Sequence, residues 1–295
     1  MRKTSSLFLG LSLAVSGISM AAAQDQSNPS MKPPKYLQIT VEYTKPGKGG
    51  MAHDKTESGY VAAMTKAKFP INYWAYNSMS GKPRTIYISG FDSFGELGKA
   101  NKIFDTPGVA ATFEPLNVAD GELLEDSKQI IFSYDDELSL RPEVDLLHMR
   151  FLEANIVHVR QGHLKEFQDL AKMWVDLWGK AGPSVHWDAF QAEYGEDGGF
   201  FVFLTPDKSL DDLDSGFADG AKVRGTLTDS EKKKMSELRA AAIDEDRTEL
   251  YSVNPAQSFV PESFIKADPG SWKPKSGAAS KAAAKPAADD KKAKP

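Results

Sequence analysis

Histidine side chains are the first candidates for chemistry in this chain, and their spacing decides what they could do. The chain has five of them: His53, His148, His158, His163 and His186. The nearest pair is five residues apart and straddles a predicted strand-to-helix turn, and there is no cysteine to complete a ligand set. The sequence therefore predicts no dedicated metal site. It implies no cofactor either, although an axial ligand of haem would be a single histidine and is compatible with this spacing.

Six side chains on predicted strands are the candidates for a ligand-binding site: Glu42, Tyr73, Trp74, Asn155, His186 and Trp187. Glu42 would be a carboxylate partly enclosed by the predicted barrel, where it could act as an acid or base. The His186 imidazole could serve as a general base, or it could be a hydrogen-bonded wall residue, which we favour. Strand alternation would place His186 and Trp187 on opposite faces. The helically spaced Trp174 and Trp178 are expected to be core residues.

An internal duplication organises the middle of the chain. Residues 139–143 (SLRPE) recur as residues 258–262 (SFVPE), an offset of 119. This offset is too long for a solenoid unit and suits a duplicated small domain. Three aligned pairs mark where the copies coincide or differ: Trp74 with Trp187, Tyr73 with His186, and Glu42 with Val157.

Both copies have the same predicted order of elements. Alternating polarity predicts a first strand at residues 36–43 and at residues 151–160. Helix, strand, strand, helix and strand follow, with an irregular stretch around residues 107–108 in copy one and residues 220–225 in copy two. This order is the ferredoxin-like βαββαβ arrangement, so the fold class is α+β.

The polarity of the two faces of the first strand suggests why one chain would contain two copies of this domain. The apolar Leu37, Ile39 and Val41 are expected to face the helices, and the face with Thr40 and Glu42 is of mixed polarity. A mixed face fits two sheets that close on each other around a small cavity. Residues 36–260 thus resemble the dimeric α+β barrel superfamily, which includes antibiotic-biosynthesis-monooxygenase-like, EthD-like and chlorite-dismutase-like proteins. The resemblance implies two tandem ferredoxin-like repeats that form an intramolecular pseudo-dimeric barrel, and therefore a monomer.

The two ends of the chain have separate roles. Arg2 and Lys3, a short apolar stretch and Ala21 to Ala23 are typical of a secretory signal peptide, and a cysteine-free exported chain suits a bacterial periplasm. The Ala/Lys/Pro-rich end is predicted to be disordered; it could contact anionic envelope surfaces or, as we favour, only aid solubility. The predicted division is signal peptide 1–23, linker 24–34, repeats 35–142 and 143–262, and tail 263–295.

The charge and composition of the chain limit the classes of partner that it could bind. The formal net charge is −5, which argues against nucleic acid, and no segment after the signal peptide could cross a bilayer. The sequence contains no glycine-rich phosphate loop and no nucleophile elbow. The expected function is an exported, periplasmic or secreted module that binds a small apolar or aromatic ligand. The alternative is a small-molecule enzyme of the barrel type, either a cofactor-independent oxygenase or a haem protein.

Overall fold

The computed structural model describes residues 30–180 and 185–273. The predicted signal peptide, most of the predicted linker and the chain after residue 273 lie outside the described residues, as does the predicted start of a strand at residue 184.

The first half contains five strands and three helices, in the order β1 Ser30–Met31, β2 Tyr36–Thr44, α1 Met51–Ala67, β3 Tyr73–Ser78, β4 Thr85–Phe91, α2 Phe94–Asn101, α3 Pro107–Gly121 and β5 Leu124–Leu140. The Ser93 side chain accepts the Glu96 N–H and caps α2. Helix α3 begins with Pro107, a favoured first helical residue, where the sequence had predicted an irregular stretch.

The second half repeats the pattern with β6 Val144–Asp145, β7 Phe151–Val159, α4 Leu164–Gly179, β8 Trp187–Tyr194, β9 Phe200–Asp207, α5 Leu210–Gly225, α6 Asp229–Ala242 and β10 Ile243–Val253. Capping boxes at Ser209 and Thr228 start α5 and α6. The stretch predicted to be irregular around residues 220–225 is the last part of α5. Two short helices, α7 Glu262–Ala267 and α8 Pro269–Trp272, close the described chain.

Eight strands form one closed barrel in the order β10-β3-β4-β2-β5-β8-β9-β7. Each half contributes a four-stranded antiparallel sheet, and the halves join at two seams, β5 with β8 and β10 with β3. The structure therefore confirms the predicted fold class, an α+β barrel of two tandem ferredoxin-like repeats. Closure leaves neither sheet with an exposed edge, which removes a common route to aggregation.

The duplicated sequence motif has the same structural role in both halves. The Ser139 hydroxyl accepts the backbone N–H of Ala189 in β8 at 2.9 Å and donates to a carbonyl four residues earlier. The Ser258 hydroxyl likewise accepts the N–H of Ala75 in β3 at 2.9 Å and donates four residues back. Each serine thus ties the end of one half to a strand of the other, across a seam.

These serine contacts also correct the alignment of the two copies. Because Ala75 and Ala189 are equivalent, Tyr73 corresponds to Trp187. The alignment of Trp74 with Trp187 and of Tyr73 with His186 was therefore wrong by one residue. In a strand such a shift moves a side chain to the opposite face.

The barrel interior is apolar, which reverses the predicted strand faces. All eight barrel strands contribute buried side chains to one core cluster: Leu37, Ile39, Tyr76, Ile86, Ile88, Ile130, Phe132, Leu152, Ala154, Phe190, Ala192, Phe200, Val202, Leu204 and Tyr251. The expectation that the apolar face of the first strand packs on helices was wrong. The mixed faces turn outward, toward the helices, and the two polar sites described below lie there.

The chain after the second repeat packs on the barrel. Trp272 is only 2% exposed, and its Nε1 donates to the Leu147 carbonyl at 2.9 Å. Arg150 pairs with Asp268 at 2.6 Å beside it. The disordered tail had been predicted from residue 263, but the ordered chain continues through α8.

Candidate functional site

A cavity of about 870 Å³ lies between the sheet and the helices of the second half. Its floor is the outward face of β7, β9 and β10, and its roof is formed by α4 and α5. The volume is within the range of small-molecule sites, about 300 to 1,000 Å³. The cavity therefore lies on the outward strand face of mixed polarity, beneath the helices that cover this face.

Six aromatic side chains contribute to the apolar wall: Phe167, Trp174, Trp178, Trp187, Phe203 and Phe217. Trp174 and Trp178 are half-buried in the cavity wall, so the expectation that they are simple core residues was wrong. Trp187 is held in place because its Nε1 donates to the Leu138 carbonyl at 2.7 Å. This wall suits a flat, apolar ligand.

Two carboxylates with raised pKa values lie on the floor of the cavity. Asp207, at the end of β9, is 9% exposed, and its Oδ2 has no hydrogen-bond partner. Burial, together with the charges of Glu153 and Asp212, raises the pKa of Asp207 to about 7. Burial also raises the pKa of Glu153 on β7. A buried carboxylate without a partner is costly, and a ligand cation or donor would relieve that cost.

Two of the four cationic residues in the cavity wall, Arg239 and Arg141, are engaged by the protein. Arg239 pairs with Asp246 at 2.5 Å. The Arg141 guanidinium donates to the carbonyls of Val185 and Gly179, both at 2.9 Å. The acidic floor is therefore not neutralised by these two arginines.

Three predicted site residues meet in this cavity: Asn155, His186 and Trp187. Asn155 donates to the Thr248 hydroxyl at 3.1 Å, across the floor. His186 and Trp187 line the same cavity, although alternation had placed them on opposite faces. The reason is that β8 begins at Trp187, so His186 precedes the strand.

The His186 imidazole is held as a wall residue. Its Nε2 lies 2.8 Å from the Pro206 carbonyl oxygen, to which an N–H must donate. This contact fixes the ring against the end of β9, and it agrees with the favoured interpretation of His186 as a hydrogen-bonded wall residue.

Two other predicted residues, Glu42 and Tyr73, lie in the first half, on the outward face of its sheet. Glu42 Oε2 is 3.1 Å from Nε2 of the buried His53. Tyr73 contacts the Tyr87 ring edge-on at 5.9 Å, and burial, followed by the charges of Glu57 and Glu42, raises the Tyr73 pKa. The halves therefore carry two separate polar sites.

Trp74 belongs to neither polar site. It packs at the end of the barrel against Phe264 of α7, with ring centroids 5.8 Å apart. Trp74 faces inward, because it also packs against the core cluster of the barrel, and its equivalent in the second half is Asp188 rather than Trp187.

The predicted site residues did not include Asp207 and Glu153 of the second-half cavity, or Glu57 and Asp120 of the first-half site. Asp207 and Glu153 lie at strand positions where charge is unusual, which is a local signal. His53, Glu57 and Asp120 come from two helices far apart in sequence, so only the fold brings them together.

No family model matches the chain, and no curated protein matches it. Among solved structures, a proposed monooxygenase from Fusobacterium nucleatum subsp. nucleatum ATCC 25586 shares 11% identity over 76% of this chain and 94% of its own, with a TM-score of 0.50. An anthrone oxidase-like protein shares 13% identity over 77% and 94%, with a TM-score of 0.48. A proposed chlorite dismutase shares 14% over 75% and 96%, with a TM-score of 0.45.

The chain has an α+β barrel fold, as its resemblance to the dimeric α+β barrel superfamily implied. At 11% identity the similarity to the Fusobacterium protein shows the fold alone. Within residues 30–180 and 185–273, no helix combines the length and apolar character needed to cross a membrane.

Proposed function

We propose that this protein is an exported small-molecule-binding α+β barrel, and that its second-half cavity holds a flat aromatic ligand with a positively charged or hydrogen-donating group. The observation that carries the proposal is the Oδ2 of Asp207, buried without a partner at the floor of an aromatic-lined cavity. An ammonium group there would form a charge-assisted hydrogen bond, and the tryptophans would stack on the ring system.

Haem, a cofactor of some proteins that share this fold, does not fit the residues that line this cavity. Among the residues that line the cavity, His186 is the one imidazole, and its Nε2 is hydrogen-bonded to the Pro206 carbonyl. An axial ligand would have to give up that contact. The carboxylates of Asp207 and Glu153 would also repel haem propionates. We therefore assign the cavity to a cationic ligand.

The binding test uses three anthracene derivatives of similar shape that carry an aminomethyl, a hydroxymethyl or a carboxylate group. Tryptophan fluorescence reports binding, because three of the five tryptophans line the cavity. We expect the amine to bind about tenfold or more tightly than the alcohol, as a charged hydrogen bond contributes about 1.5 to 3 kcal/mol. Equal affinity for all three compounds, or preference for the carboxylate, would contradict the proposal.

The alternative function is a small-molecule enzyme, and one observation favours it. A carboxylate with a pKa of about 7 has the proton affinity expected of a general base near neutral pH. An oxygenase of this type would consume oxygen when given an aromatic substrate with an acidic C–H bond. Oxygen uptake that is lost in Asp207→Asn would favour the enzyme, whereas binding without turnover would favour the binding module.

Export and oligomeric state belong to the same proposal. The basic, apolar and small-residue pattern of residues 1–23 supports cleavage before Gln24 and a periplasmic or secreted location. Intact mass of the protein recovered from a periplasmic fraction should match a chain that starts at Gln24. The intramolecular barrel supports a monomer, and a stable dimer by light scattering would contradict that part.

A further inference from the structure

Four titratable side chains of the first half converge beneath its helices. Glu42 comes from β2, His53 and Glu57 from α1, and Asp120 from α3. His53, Glu57 and Asp120 are 2%, 4% and 5% exposed, respectively. Because His53 and Glu57 are four residues apart, they lie on the same face of α1, which turns toward the sheet.

This cluster is electrostatically incomplete as protein alone. One imidazole faces three carboxylates, and Glu57 Oε1 is buried without a hydrogen-bond partner. Burial, followed by the charges of Glu42 and Asp120, raises the pKa of Glu57 to about 9. Burial and the charge of Glu42 also raise the pKa of Asp120. Like charges held together in this way require a cation or bound protons.

The spacing of the donor atoms matches a coordination shell. His53 Nε2 lies 3.1 Å from Glu42 Oε2, 3.6 Å from Asp120 Oδ1 and 4.0 Å from Glu57 Oε1. One donor atom from each of the four residues lies within 4.8 Å of all the others. Ligands bound at about 2.0 to 2.2 Å from one ion would be about 3 to 4.4 Å apart. A small inward movement of the side chains would complete the shell.

We propose that Glu42, His53, Glu57 and Asp120 form a binding site for a divalent first-row transition-metal ion. The imidazole favours Mn²⁺, Fe²⁺ or Zn²⁺ over Ca²⁺ and Mg²⁺, which prefer sites made only of oxygen ligands. Three carboxylates supply enough negative charge to hold the ion in a buried position. The site lies in the first half, so it does not depend on the ligand proposed for the second-half cavity.

The second half shows that the fold does not need this cluster. Strands β2 and β7 have nine residues each, and the position of Glu42 is taken by Val157. Val157 is packed with Phe167, Ala171 and Phe201 in an apolar cluster between sheet and helix. The position of Glu42 can therefore be occupied by an apolar side chain in the same fold, and the polar set of the first half calls for a ligand.

Gln257 positions the histidine from the opposite side. It is 1% exposed, and its Nε2 lies 3.5 Å from His53 Nδ1 and 2.9 Å from Asp54 Oδ1. The Tyr87 hydroxyl donates to its Oε1 at 3.3 Å. The contact with Nδ1 holds the His53 ring so that its Nε2 faces the three carboxylates. Such partners orient metal-binding histidines.

The test measures metal content of the tag-free mature chain. The protein is stripped with EDTA, incubated separately with Mn²⁺, Co²⁺, Zn²⁺, Ca²⁺ or Mg²⁺, desalted and analysed by inductively coupled plasma mass spectrometry. We expect one transition-metal ion per chain and neither Ca²⁺ nor Mg²⁺. Visible absorption of the Co²⁺ form should show ligand-field bands that require coordination by protein, which surface adhesion would not produce.

Variants locate the ion. Glu42→Gln and His53→Gln should lose stoichiometric metal and the Co²⁺ bands, while circular dichroism shows that the barrel is retained. Glu114→Gln, an exposed acid on α3, and Asp188→Asn, a carboxylate outside the cluster, are the controls and should bind as wild type does. Metal retained in both cluster variants, or a wild type that retains none of the three transition ions, would overturn the proposal.

Discussion

Replacing Asp207 by asparagine should stabilise the ligand-free protein at alkaline pH and leave its stability unchanged at acidic pH. The pKa of this carboxyl rises from 3.8 to about 7 on folding, mainly because of burial. Below the lower value the carboxyl is protonated in both states. Between the two values the folded state holds one more proton than the unfolded state, so the free energy of unfolding falls as pH rises. Above about pH 7 the loss is complete.

The size of the effect follows from the width of that window. Each pKa unit corresponds to about 1.4 kcal/mol, so a shift from 3.8 to about 7 corresponds to at most about 4 kcal/mol. Water in the cavity screens part of the penalty. We therefore expect Asp207→Asn to raise the free energy of unfolding by about 2 to 4 kcal/mol near pH 8 and by nearly nothing near pH 4.

Urea unfolding of wild type and variant across this pH range measures the effect as a difference curve. The difference between the two curves is needed because burial also raises the pKa of Asp188 to about 7 and that of Glu57 to about 9. The wild-type curve therefore contains the titration of all three carboxyl groups. Asp211→Asn, an exposed acid near the cavity, is the matched control and should change little. A gain that is absent at high pH, or equal at both extremes, would refute the reasoning.

Three further predictions concern the seams and the two sites. Ser139→Ala and Ser258→Ala should each lower the free energy of unfolding by about 1 to 3 kcal/mol, measured in urea, since each leaves a seam N–H unsatisfied; no loss in either would contradict the proposed role of the motif. Gly216→Leu should block ligand binding in fluorescence titrations, because Gly216 lines the cavity and has open space beside it, whereas Gly225→Leu should not. Gln257→Met should weaken metal binding about 10- to 100-fold by calorimetry; unchanged affinity would exclude Gln257 as a positioning residue.

The architecture could be predicted from the sequence because local sequence patterns indicate the type and order of its helices and strands. The 119-residue offset, the turn residues and the alternating strands were enough for the order of elements and for the barrel. The face of each strand was harder to predict. In the first strand Leu37 and Ile39 could have packed on helices or inside the barrel, and both choices bury the same apolar side chains.

The sites were only partly predictable for a related reason. Glu42, Asn155 and His186 stand out because they are polar or charged residues on predicted strands. Asp120 and His53 lie on helices, where a polar residue is not unusual. Their proximity depends on how α1 and α3 pack. Asp207 is revealed by its burial without a partner, which a sequence does not record.

The most direct test of the account is to locate a bound ligand. A crystal of the protein soaked with a brominated aminomethyl-anthracene would show the bromine by anomalous scattering. The account predicts a peak between α4, α5 and the outward sheet face, with the amine beside Asp207. A peak inside the barrel, among the side chains that surround Phe132 and Phe190, would contradict it and would restore the original expectation of a cavity between the sheets.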